Sequence, residues 1–201
     1  MTIGDPLSFA IESEISQAYR RLSLRALGFF VIHIAGHRYG VYQPDATMLA
    51  NSFDEVERRL ERRGSHLAPF AREDAAKIAE AFRRAYDPDQ VNAQLFGMMA
   101  SEFYNFACSN GLLWAPDGDE AFDDGSYVVQ FDVENQVRLL GFKSEPDGYG
   151  YEAATLTDMW IPSEVFYRVL QEWHAAFEQE WRSARKVIDE QTPIDPAMGC
   201  P

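Results

Sequence analysis

Two hydrophobic periods alternate along the chain. In residues 8–15, Phe9, Ile11 and Ile15 fall on one alternating face, and residues 27–34 form a dense β-branched and aromatic run. The first pattern predicts a half-buried strand and the second a fully buried one. Gly36 and Gly40 bracket His37-Arg38-Tyr39, which predicts a tight turn into a short strand ending at Tyr42. The spacing then changes to threes and fours. Leu49, Phe53, Val56 and Leu60 predict a helix that stops at Gly64, with Asp54/Arg58 and Glu55/Arg59 as surface pairs. A second helix is predicted over residues 69–86, with Ile78, Phe82 and Ala85 on its apolar stripe. Asp87-Pro88 supplies a capping acid and a first-turn proline, and predicts a third helix through Val91, Leu95, Met98 and Met99. Residues 103–114 fit helix, strand or both.

The two-residue period returns at Tyr127, Val129, Phe131 and Val133, and residues 137–143 supply a partner strand across the short connection Glu134-Asn135. This reads as a hairpin. Residues 144–150 are a loop of Gly, Pro and acid, and residues 153–161 a further strand. From Pro162-Ser163 to about Lys186, Val165, Phe166, Val169, Leu170, Trp173, Phe177 and Trp181 recur at helical spacing. Phe166, Val169, Leu170, Trp173 and Phe177 are the expected buried stripe. Strands near both ends with helices between them predict a single α+β domain over residues 1–188. An antiparallel sheet would carry the packed helices, and residues 189–201, with Pro193, Pro196 and Pro201, would form a loose tail.

Composition sharpens this picture. The 201 residues are 46% hydrophobic and 13% aromatic, enough for a core despite a net charge of −14. No apolar run approaches the roughly 20 residues of a membrane span, and the N-terminus lacks the basic patch and apolar run of a signal peptide. Cys108 and Cys200 are far apart and suggest no disulfide framework. These features lead to the expectation of a cytoplasmic protein. The acid is concentrated. Residues 109–160 hold 11 acidic residues against Arg138 and Lys143, which is −9 of the −14. Such a field repels nucleic acid and anionic membrane, and attracts a basic protein.

The candidate chemistry is sparse. Asp117-Gly-Asp-Glu-Ala-Phe-Asp-Asp-Gly125 resembles a calcium loop but places Ala121 and Phe122 where an oxygen ligand and a glycine are needed. His33 and His37 straddle a strand end and turn, His174 and Glu178 have no second histidine beside them, and Cys-x-x-Cys is absent. There is no Gly-x-Ser-x-Gly and no phosphate-binding glycine loop. Cys108 reads as a core cysteine, and neither a metal nor another cofactor is expected. Glu12 and Glu14 could pair as carboxylates in a cleft, or form the solvated face of their strand.

Several segments carry a resemblance. The opening Ile3-Gly-Asp-x-x-x-Phe-Ala-Ile11 resembles the start of the bacterial immunity protein 42 family. Gly28-Phe-Phe-Val-Ile-His-Ile-Ala-Gly36 with Tyr39-Gly40 is similar to its second strand and turn. Glu120-Ala-Phe-Asp-Asp124 with Tyr127-Val-Val-Gln-Phe-Asp132 is similar to its Phe-Asp motif entering a late strand. Arg138-Leu-Leu-Gly-Phe142 and Ile161-Pro-Ser-Glu-Val-Phe166 follow in the same order. These patches cover about half the chain, and residues 70–106 add little. The resemblance implies protection against polymorphic or contact-dependent toxins by binding, without turnover, and carries over no catalytic residue. It therefore implies a cognate toxin as partner, a basic nuclease being one candidate. The binding residues expected from the charge density are Asp117, Asp119, Glu120, Asp123, Asp124, Glu145 and Asp147. Asp123 or Asp124 could instead cap the turn into the strand at Tyr127. The other readings are a small hydrolase using Glu12, Glu14 or Asp123-Asp124, and a non-catalytic adaptor.

Overall fold

The computed structural model describes residues 1–90, 92–114, 119–146 and 150–187. Strands β1 (Thr2–Gly4), β2 (Phe9–Tyr19), β3 (Ala26–Ile34) and β4 (His37–Tyr39) lie side by side in chain order, all antiparallel. The β2–β3 register runs from Phe9↔Ile34 to Ala18↔Ala26, with a bulge between Ile15 and Gln17. The fourth strand ends at Tyr39 rather than Tyr42. Gly40 adopts φ 115° and donates its N–H to Ser126 Oγ at 3.0 Å, so the chain leaves the ladder there. Strand β5 (Thr47–Met48) joins β3 and leads into α1 (Leu49–Glu61), which buries Leu49, Phe53 and Val56 as its spacing predicts.

The middle of the chain departs from expectation. Helix α2 (Ala75–Ala85) starts six residues later than predicted, because Asp74 is its N-cap and accepts the Lys77 N–H at 3.1 Å. The predicted third helix does not form. Asp87 initiates only the 3₁₀ turn Pro88–Gln90, and β6 (Gln94–Leu95) and β7 (Met98–Met99) follow as a small hairpin. Its two connecting residues, Phe96 at φ 50° and Gly97 at φ 82°, both sit in left-handed backbone that a helix cannot contain. Helix α3 (Ala100–Ser109) then ends at Gly111 (φ 60°), and Leu113 bridges to Val129.

Strands β8 (Ser126–Val133) and β9 (Gln136–Lys143) form the predicted hairpin, turning through Glu134 at φ 57°. Strand β10 (Thr157–Pro162) completes a second sheet in the order β10-β9-β8. It starts later than predicted because Ala153–Thr155 forms a 3₁₀ turn. Helix α4 (Ser163–Ser183) follows, and β11 (Lys186–Val187) pairs in parallel with β2, so the first and last described strands share the first sheet. The predicted tail lies outside the described residues.

The second sheet is buried on both faces. Val128, Val137 and Leu139 join the first sheet, α1 and α4 in one core around Phe30, Phe166, Trp173 and Phe177. Val129, Phe131, Leu140 and Phe142 join α2, α3 and the small hairpin in the other, around Phe70, Phe82 and Phe103. Tyr39 ties the sheets together. A Cβ at Gly141 would lie 2.3 Å from the Tyr39 ring, so the ring packs flat on backbone that must be glycine. Beyond it, the hydroxyl donates to Thr155 O at 2.6 Å and pairs with Thr157 Oγ1 at 2.9 Å. Burial pushes this phenol up to about 12, so it remains a donor.

Candidate functional site

The acidic segment folds around one of its own carboxylates. Asp119 is buried at 8% exposure, contrary to the open position expected for it. Its Oδ1 accepts from Thr47 Oγ1 at 2.8 Å and from the Ala121 N–H at 2.9 Å, and its Oδ2 accepts from Ser52 Oγ at 3.2 Å. Asp119 therefore caps the 3₁₀ turn Glu120–Phe122 and ties it to the start of α1. Ala121, fully buried, accepts the Val41 N–H at 2.8 Å, and Phe122 packs edge-on against Phe30. Glu120 and Asp123 are left exposed on this clamped turn.

Asp124 takes the capping role left open between it and Asp123. Its Oδ1 accepts the Ser126 N–H at 3.1 Å as β8 begins, and its Oδ2 meets Lys143 Nζ at 2.5 Å. The Ser144 N–H donates to Gly125 O at 2.9 Å, which brings the exposed Glu145 beside the turn. Glu120 and Asp123 are thus exposed carboxylates on this turn and Glu145 an exposed one on the strand end that closes it, with Asp124 half-buried. Asp117 and Asp147 lie outside the described residues. Behind the turn is a recess of about 300 Å³ lined by Tyr86, Trp114, Phe122, Asp123, Tyr127 and Ser144. The buried Trp114 indole N–H has no hydrogen-bond partner among the described residues.

Tyr42 borders the same turn, because Val41 bonds to Ala121. It is 46% exposed, stacks obliquely on Phe29 and donates its hydroxyl to Glu12 Oε1 at 3.0 Å. The other Glu12 oxygen is 2.9 Å from His33 Nε2, whereas Glu14 is exposed. Glu12 is therefore engaged by its own neighbours rather than paired with Glu14. Neither Tyr42 nor the aromatic recess was legible as functional, since each depends on residues far apart in sequence meeting in space. Two other acids of the same stretch are engaged by buried partners. Asp158 chelates the buried Arg138 guanidinium with both oxygens at 2.8 Å, and Asp132 sits at 6% exposure.

Asp132 centres a second polar cluster. It accepts the His66 backbone N–H at 3.1 Å, lies 2.9 Å from His66 Nδ1, and receives the Tyr167 hydroxyl at 2.9 Å. Burial alone would raise its pKa, but the His66 and Tyr167 hydrogen bonds outweigh burial and hold it below the usual carboxylate range. Burial lowers His66, against the opposing pull of Asp132, and raises Tyr167. Gln130 links this cluster to Arg59, whose Nη1 donates to Gln130 Oε1 at 2.8 Å and whose Nη2 meets Glu55 Oε1 at 2.8 Å. This buried bridge from α1 through β8 to α4 reads as a structural network, with only the Arg59 Nε–H among its buried side-chain donors and acceptors lacking a partner among the described residues. Among the described residues no group of three or more His, Cys, Asp or Glu is placed to hold a metal ion, and no helix is long and apolar enough to cross a membrane.

The family model for immunity protein 42 matches residues 1–176. The chain belongs to the immunity protein 42 family. It is a toxin-neutralising immunity protein, and the match spans the second sheet, the first sheet without β11, and most of α4, including the acidic turn. Among solved structures, it is similar in fold to CdiI from Burkholderia dolosa AUO158. That likeness has a TM-score of 0.56 and 16% identity over 88% of this chain and 99% of that one. No curated protein matches.

Proposed function

We propose that this immunity protein neutralises its toxin by binding it through the carboxylate group at Glu120, Asp123 and Glu145. Asp124 would support this group and Asp119 would hold it in place, and the charges of Asp117 and Asp147 make them further proposed contacts. The observation that carries this reading is the use of Asp119. A buried carboxylate with three donors fixes the turn to α1, so the exposed acids beside it are presented on rigid backbone. A preorganised charged patch loses little entropy on binding and steers an oppositely charged partner toward it. Tyr42 and the recess behind the turn supply aromatic surface for a buried anchor at the centre of such an interface.

The complement of this face is a basic toxin surface. A nuclease fits, because a phosphate-binding cleft is cationic and carboxylates can occupy it. In this reading the protein acts in the cytoplasm, where an incoming toxin must be stopped, and works by occupancy without turnover. The test is co-expression of the cognate toxin with wild-type protein or with Glu120→Gln/Asp123→Asn/Glu145→Gln. Loss of protection by a triple variant with wild-type melting behaviour is expected. Full protection by that variant would move the interface elsewhere.

A further inference from the structure

The second sheet closes one of its edges and leaves the other open. On β8, the Trp114 N–H donates to Val128 O at 2.9 Å, the Gln130 N–H to Leu112 O at 2.7 Å and the Asp132 N–H to His66 O at 2.8 Å. These bonds occupy outward backbone groups of β8. The opposite edge is β10, which among the described strands pairs with β9 alone. Antiparallel ladders alternate bonded and non-bonded pairs, so one bonded pair fixes the phase of the rest. The Ser163 N–H donates to Asn135 O at 2.9 Å, in register with Ile161↔Val137, Met159↔Leu139 and Thr157↔Gly141. Those three residues of β10 therefore bond to β9. Asp158 and Trp160 direct their N–H and C=O groups outward, where no backbone partner meets them among the described residues. Both residues are exposed, Trp160 at 37%. Open edges are commonly blunted by charge or proline. Here Pro162 blocks only the last position. The Asp158 carboxylate is turned onto Arg138, whose guanidinium lies 5.3 Å from the Trp160 ring. Four backbone groups and an exposed indole remain along the strand.

We infer that an extended segment of the toxin adds to this edge as a fourth strand. Its backbone bonds to Asp158 and Trp160, and an apolar side chain lies on the Trp160 indole. In such additions main-chain pairing supplies affinity, and the side chains beside the edge supply specificity. A second copy of this chain fits the edge poorly, because each copy carries a net charge of −14 and the two repel. Exposed acids mark both ends of the strand, Glu152 before it and Glu164 after it. The segment that fits therefore carries basic residues on either side of its apolar one. The inference rests on the toxin-neutralising role and is independent of the acidic turn.

The experiment is amide hydrogen exchange, followed by NMR on the full chain, free and saturated with purified cognate toxin. In the free protein the Asp158 and Trp160 amides should exchange fast, and those of Met159 and Ile161 slowly. In the complex the Asp158 and Trp160 amides should slow at least tenfold, with little change at Met159 and Ile161. Two variants separate strand pairing from simple cover. Trp160→Ala removes the ring and keeps the donor, whereas Trp160→Pro removes both and costs no bond to β9. Trp160→Pro should bind toxin at least tenfold more weakly than Trp160→Ala. Slow exchange at Met159 and Ile161 checks that each variant keeps β10, and where Trp160→Pro loses it the wild-type exchange result decides alone. The protection should persist in Glu120→Gln/Asp123→Asn/Glu145→Gln at saturating toxin, so this inference and the acidic-turn reading fail separately. Asp158 and Trp160 amides that stay fast in the saturated complex would overturn the inference, as would equal affinities of two folded variants. Protection that grows with protein concentration in the absence of toxin would assign the edge to a second copy and overturn it as well.

Discussion

Asp119 shows how one buried residue can hold a proposed binding surface in place without belonging to it. Three donors converge on its buried carboxylate, so Asp119→Ala strands the Thr47 and Ser52 hydroxyls and the Ala121 amide at once. A loss of about 1–3 kcal/mol in chemical denaturation is expected. Toxin affinity should also drop by roughly tenfold, about 1.4 kcal/mol, because Glu120 and Asp123 lose their clamp. An affinity drop without destabilisation would instead make Asp119 a direct contact. The Asp132–His66 pair governs response to acid. His66 is held neutral by burial, so the folded state resists its protonation, and stability should fall as pH drops below its unfolded value of roughly 6.5. Asp132 has a depressed pKa, so its contribution is present above roughly pH 4 and is lost as pH falls through its folded value. Both act in the same direction, and urea midpoints measured between pH 7 and pH 3 should decline in two stages. His66→Gln should flatten the first stage.

At the scale of elements, the legible parts were those whose pattern and environment agree. Helix α4 repeats its apolar stripe for 21 residues, and Phe166, Val169, Leu170, Trp173 and Phe177 are all buried as their spacing predicts. Trp173 is its anchor, with no exposure and its Nε1–H donated to Ser13 Oγ at 2.9 Å. Trp173→Ala should therefore cost about 3–5 kcal/mol, checked by the shift of the denaturation midpoint. An unchanged midpoint would contradict the packing. The β8–β9 hairpin was legible for the same reason. The segment around Leu95, Met98 and Met99 was not, because apolar spacing suited to a helix also suits a two-residue hairpin. The deciding feature is left-handed backbone at Phe96, a residue that seldom adopts it. Asp119 was misplaced on the surface because its partners, Thr47 and Ser52, lie 72 and 67 residues away. Local sequence cannot distinguish an aspartate that caps a buried turn from one that faces solvent.

For the whole molecule, family membership establishes an immunity protein, and the proposed grip is the acidic turn. The −14 net charge is general, but the exposed group at Glu120, Asp123 and Glu145 is local, rigid and flanked by aromatic surface. Local and global charge make different predictions about association. A steering patch at the interface raises the association rate and makes it fall steeply with salt, whereas distant acid adds a weaker, screened background. The deciding measurement is stopped-flow association of purified toxin across a range of ionic strength. It compares wild type, Glu120→Gln/Asp123→Asn/Glu145→Gln, and a control with the same charge change on α1 and α4, Asp54→Asn/Glu164→Gln/Glu172→Gln. The acidic-turn variant should associate at least tenfold more slowly at low salt and with a flatter salt dependence, while the control stays close to wild type. Equal rates and slopes for the two variants would contradict binding at the acidic turn.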